Sequence, residues 1–153
     1  MFRMRIKGFK KGKVMAVKTE YIELNTKGKT DIVNITDMVK DLLIKTKLKS
    51  GIVTVSVIGS TGGLTTIEYE PALVDDIKNF FEKIIPSNIS YNHDETWGDA
   101  NGHSHLRASL LGPSITVPFK ETNLILGTWQ QIIFLDFDNR PRSRKIVLQF
   151  IGE

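Results

Sequence analysis

DIVNITDMVKDLLIKTKLKSGIVTVSVIG, residues 31–59, changes its hydrophobic period twice and so decides the fold class. DIVNI is β-branched and reads as a short strand. From Thr36 the pattern turns helical: Thr36 is placed as an N-cap, Asp37 favours the first turn, and Met38, Val39, Leu42 and Leu43 recur at helical spacing up to Lys49. The β-branched run GIVTVSVIG then returns the chain to strand between two glycines.

Outward from this stretch the strands multiply. RMRIKGF (3–9) and KVMAVKTEYIEL (13–24) read as strands broken by Gly12, with TKGKT (26–30) as a turn, so a β-meander is expected to open the chain. After STGG, LTTIEYE (64–70) is another strand. Pro71 stands where a first helical residue would, and Leu73, Val74, Ile77, Phe80, Phe81 and Ile84 keep helical spacing until Pro86. Residues 87–103 are polar without periodicity and read as a functional loop. SITVPF, NLILG, WQQIIFLDF and RKIVLQFIG supply the closing strands. Two main helices packed on a largely antiparallel, sandwich-like β-sheet define an α+β class, expected as a single domain over residues 1–153.

Composition narrows the function. A chain of 153 residues that is 41% hydrophobic and 25% charged suits one soluble domain. No apolar run reaches membrane-spanning length and no secretory leader is visible, so a cytoplasmic protein without membrane contact is expected. The absence of cysteine excludes disulfides, thiolate nucleophiles and iron–sulfur clusters. Net charge is +4 with a pI of about 9.3. The basic clusters RMRIKGFKKGK and NRPRSRK read as solvated strand ends or turns, the commoner explanation at this net charge, with a phosphate-binding footprint as the alternative. RPRSRK (140–145) fits a hairpin tip, and with no interleaved aromatics nucleic acid is not an expected partner.

Chemistry concentrates in YNHDETWG (91–98) and GDANGHSHLRASLLG (98–112), which hold all three histidines. His93, Asp94, Glu95, Asp99, Asn101, His103 and His105 mix imidazole with carboxylate, as a zinc or manganese site or a general acid–base pair requires. His103 and His105 share a face on a strand, whereas on a helix they diverge by about 200°, leaving only one pointing inward. The plainer alternative is a polar loop decorated with histidines. GSTGGLTT (59–66) is the second candidate, because glycines admit close backbone approach and successive N–H groups with Ser and Thr hydroxyls cradle phosphate. It lacks the Gly-Lys-Ser/Thr ending of a P-loop, and a hairpin between two core strands competes with it. Glu68, in an apolar strand, would need a partner. Trp129 reads as core or interface.

DANGHSHLRASLLGPSITVP, followed by LILGTWQQIIFLDFD and a basic hairpin ending VLQFIG, resembles the YjbQ-like family of small proteins linked to secondary thiamine-phosphate synthase activity. The resemblance implies a sandwich-like homotrimer acting on a small phosphorylated molecule, with the polar cluster near subunit boundaries. The family's Asp, Asn, His and basic positions fall on Asp99, Asn101, His105 and Arg107; His93 matches an upstream His and Glu68 the Glu closing the first motif. His103 stands where members more often carry Asp. The first motif, His-Thr-Thr-Ala-Gly-Leu-Thr then Asn-Glu, here runs from Gly59 with Ile67 in place of the Asn, so its first imidazole is absent. The implied reaction joins a pyrimidine diphosphate to a thiazole phosphate and releases pyrophosphate, whose charge must be neutralised. His105, Arg107 and Glu68 would be catalytic. Ser60, Thr61, Gly62, Gly63 and Asn101 would bind the phosphorylated ligand. A divalent ion (zinc, manganese or magnesium) would sit on His105 with His93, Asp99 or Glu68. Two alternatives remain open: a metal-dependent enzyme on another phosphorylated metabolite, and a non-catalytic trimeric protein binding metal or a small ligand, which the missing first His favours.

Overall fold

Strand β7 (Gln131–Asp136) organises the molecule, and the reason is visible in its sequence: QIIFLD has no alternating polar side, because both its faces are covered. The computed structural model describes residues 14–153; the strand expected over residues 3–9 lies outside them. In chain order the elements are β1 (Ala16–Thr26), β2 (Asp31–Asn34), α1 (Thr36–Thr46), β3 (Ser50–Val57), β4 (Gly62–Ile67), α2 (Pro71–Ile84), α3 (Asn92–Trp97), α4 (Gly102–Leu111), β5 (Ser114–Lys120), β6 (Asn123–Leu124), β7 and β8 (Arg142–Gly152). They form a five-stranded sheet, β1-β8-β3-β5-β6, and a three-stranded sheet, β2-β7-β4, antiparallel throughout.

Two cores result. Ile132 and Phe134 of β7 face the larger sheet, meeting Val53, Val55, Ile146, Leu148 and Phe150, with Val39 and Leu43 of α1 in the same cluster. Ile133 and Leu135, with Phe137 just beyond, face the other way and pack under Phe81 of α2 and Ala108 of α4. The architecture is the expected α+β sandwich with helices packed on it, with four helices among the described residues rather than the two expected.

Several local expectations change. Among the described residues, β1 and β2 do not pair with each other as a meander would require: β1 pairs with β8 and β2 with β7, and the 26–30 turn carries the chain between sheets. Residues 58–61 likewise form a corner between sheets, not a hairpin. Thr36 is the first residue of α1, not its cap: its hydroxyl donates to Asn34 Oδ1 (2.6 Å) and accepts from Ile132 N (2.8 Å). Lys47 then turns left-handed (φ 62°) and ends α1 before Lys49. Pro71 opens α2 as expected, capped by the Glu70 carboxylate, which accepts from Ala72 N (2.9 Å) and Leu73 N (2.5 Å).

The polar loop expected over 87–103 instead carries α3 and the start of α4. No apolar stripe announces α3, because polar contacts seat it: Asp94 accepts from Tyr91 N (3.0 Å) and Gly102 N (2.8 Å), tying α3 to α4. RPRSRK is not simply a solvated tip either. Arg144 is buried, donating to Asp136 from Nε (2.7 Å) and Nη2 (2.6 Å), and Arg142 Nε reaches Asp138 (2.9 Å). No helix among the described residues is long and apolar enough to cross a membrane.

Candidate functional site

The helical period divides the histidine motif. Residues 103 and 107 of α4 point into the protein, while 105 and 109 point outward from it. On the inner face Arg107 Nη1 donates to Thr30 Oγ1 (3.0 Å), Nε and Nη2 to Ile85 O (2.9 and 2.6 Å), and Nη2 to Glu82 Oε2 (2.6 Å). Burial pushes the Glu82 carboxyl up, but the Ser87 N–H and the Arg107 bond outweigh it and bring the pKa to about 2. His103 is buried beside Arg107. Desolvation first, then the guanidinium charge, hold its imidazole below the ordinary 6.5. The conditional reading from spacing is therefore met: of the two α4 histidines, His103 is the buried one.

His105, on the outer face, lies with its ring centroid 4.5 Å from that of His93. Both line a surface cavity of about 380 Å³ with Tyr91, Asn92, Gly102 and Leu106. His105 also lines a second cavity of about 200 Å³, whose opposite wall is Gly59, Ser60 and Gly62. The two sequence candidates, the histidine motif and the glycine turn, thus meet at His105.

The glycines of that turn also serve packing. A Cβ on Gly62 would stand 2.7 Å from the Phe134 ring, and one on Gly63 2.8 Å from Leu111 Cδ2, so β4 can approach β7 and α4 only without side chains there. Among the described residues the N–H groups of Gly59, Ser60 and Thr61 donate no hydrogen bond. Thr61 turns its hydroxyl away from the cavity, donating to Asp138 Oδ2 (3.1 Å) and accepting from Arg144 Nη2 (2.7 Å).

Three other candidates lie apart. Glu68 is exposed beyond the far end of β4, about 20 Å from Gly62 at the rise of a strand. Asp99 is exposed in the turn before α4, where its carbonyl accepts from Asn139 Nδ2 (2.7 Å). Asn101 is buried, and its Oδ1 has no donor among the described residues. His93 and His105 offer two imidazoles to an ion, but among the described residues no three His, Asp or Glu side chains converge into a ligand set. A closed four-ligand centre is therefore not built from these residues. Trp129 is exposed.

Sequence reasoning misses Arg144, which it merges into a basic turn. The signal is its register: Arg144, Ile146, Leu148 and Phe150 alternate inward along β8.

The protein-family model described as "UPF0047 protein YjbQ-like" matches residues 20–153. A UPF0047 protein of Archaeoglobus fulgidus is 38% identical over 128 residues, 84% of this chain and 97% of the relative. One from Methanothermobacter thermautotrophicus is 38% identical over 142 residues, 93% of this chain and 97% of the relative. Among solved structures, a YbjQ-like protein of unknown function from Sulfolobus solfataricus superposes with a TM-score of 0.87 at 31% identity, covering 92% of this chain and all of its own. A hypothetical protein from Aeropyrum pernix gives 0.83 at 29% identity, covering 89% of this chain and 99% of its own.

Proposed function

Because the chain belongs to the UPF0047 YjbQ-like family, we propose that it binds a small phosphorylated molecule between the 59–62 turn and α4 and acts as a thiamine-phosphate synthase-like transferase. The observation that carries this reading is the cavity shared by His105, Ser60 and Gly62. In the reaction a thiazole nitrogen forms a bond to the pyrimidine methylene carbon as the carbon–oxygen bond to diphosphate breaks. The leaving oxygen keeps the electron pair. The undonated N–H groups at 59–61 and the Ser60 hydroxyl suit the negative charge that develops there, and His105 can donate a hydrogen bond to the same group. Arg107 serves by fixing α4. Glu68 enters only if a neighbouring copy supplies it in the homotrimer that the family resemblance implies. No step is routed through a metal ion, since the two imidazoles do not complete a ligand set.

The test is formation of thiamine phosphate from the pyrimidine diphosphate and thiazole phosphate by the full chain, beside His105→Ala. Turnover that disappears in the variant supports the reading. Turnover absent from both proteins, or equal in both, overturns it. The second reading, a binding protein without turnover, is favoured by Gly59 standing where the family motif carries His. Ligand binding that needs His105 in the absence of turnover would establish it.

A further inference from the structure

Arg144 is only 9% exposed and is held by Asp136 and Thr61 through Nε and Nη2. Its remaining nitrogen, Nη1, makes no hydrogen bond among the described residues and lies 3.3 Å from where a Cβ on Gly59 would stand. Gly59 is exposed, lines the His105 cavity, and has φ +156°, a conformation L side chains rarely adopt. Beside it run the undonated N–H groups of residues 59–61.

From this juxtaposition we propose that Arg144, through the opening left by the missing side chain of Gly59, is the cation that recognises a phosphoryl oxyanion at the 59–61 turn. This rests on the phosphate-binding reading of the same cavity and deepens it, because it moves to Arg144 the charge-neutralising role that the family resemblance implies for Arg107. Arg107 has its hydrogen bonds on the inner face of α4, away from the turn. Arg144 keeps one free edge.

The surroundings define the class of ligand. Asp136 and Asp138 balance Arg142 and Arg144, so the site offers little net positive charge and acts through directed donors: Nη1 and three backbone N–H groups. Several neighbouring donors match the oxygens of a phosphate monoester or a diphosphate better than the two of a carboxylate. A side chain at position 59 would cover Nη1, which makes glycine there a feature of recognition.

The experiment titrates the full chain with inorganic phosphate, pyrophosphate and acetate by calorimetry, for wild type, Gly59→Ala, Arg144→Lys and Lys145→Ala. Gly59→Ala adds one methyl on an exposed turn and strains its backbone, so thermal unfolding verifies that each variant is folded and a matched Ser60→Ala variant, which keeps residue 59 as glycine, controls for a change in the turn itself. Pyrophosphate or phosphate is expected to bind in preference to acetate, and both Gly59→Ala and Arg144→Lys to weaken it by about tenfold or more. Lys145→Ala, which removes a neighbouring surface charge, should leave it unchanged. Absence of binding to wild type, or binding that Gly59→Ala leaves intact, overturns the inference; if Arg144→Lys does not fold, Gly59→Ala alone decides. Turnover that needs His105 while anion binding ignores Gly59 would overturn this inference alone. Pyrophosphate binding that needs Gly59 and Arg144 with no turnover would instead overturn the transferase reading alone.

Discussion

The two faces of α4 carry residues of one motif and do opposite work. The inner face holds His103, Ser104 and Arg107, buried and engaged: Ser104 Oγ donates to Phe137 O (2.6 Å), and the Arg107 guanidinium bridges the 30-turn, Glu82 and the end of α2. The outer face holds His105 and Ser109, reachable from a cavity. A polar residue type alone therefore says little about function. What separates the faces is whether the partners of a side chain lie inside the chain or are missing from it.

The sharpest way to break this contrast is Arg107→Ala. The substitution removes four hydrogen bonds and leaves Ile85 O and Thr30 short of donors in buried surroundings. A loss of about 3 kcal/mol is expected in urea unfolding. A loss no larger than that of an exposed residue would place Arg107 outside the framework of the helix.

Acid titration sharpens the same face in two separate windows. Glu82 has a folded pKa near 2 against an ordinary 4.5, so it contributes stability that is present above 4.5 and lost as pH falls towards 2. Glu82→Gln should flatten that part of the stability profile, and the two proteins should converge at its acid end. His103 acts at higher pH. Its folded pKa lies below 6.5, so the unfolded chain takes up the proton first and stability declines as pH falls below 6.5. His103→Gln should remove that shallower decline in denaturant titrations stepped through mildly acidic pH. A decline that survives the substitution would assign it to another group.

Legibility followed the period of the sequence. Pro71 and the spacing from Leu73 to Ile84 located α2, and the apolar run through Phe134 located β7, because burial writes a repeat into the chain. α3 and α4 were both hidden: Asp94 seats them by accepting backbone N–H bonds and contributes no apolar repeat. The pairing partners of β1 and β2 were hidden for another reason: a turn such as 26–30 reads the same whether it joins neighbours or crosses between sheets. At the site, the two-residue spacing of His103 and His105 separated the rings only on the condition of a helix, which the sequence left open against a strand and α4 supplies. The period of β8 turns Arg144 inward, but spacing could not tell that the fold brings it beside the glycine turn, because its contact with Thr61 spans 83 residues.

The smallest expected effect on stability tests the other half of the comparison. His105 is half-buried, its ring meets His93, and its backbone carbonyl rather than its imidazole holds Ser109 Oγ (2.8 Å). His105→Ala should therefore change unfolding stability by no more than about 0.5 kcal/mol, while removing one wall of both cavities. If ligand binding falls and the urea midpoint stays, the outer face of α4 is kept for recognition. If the midpoint falls as it does for Arg107→Ala, His105 belongs to the framework, and the division of the motif into a supporting face and an acting face fails.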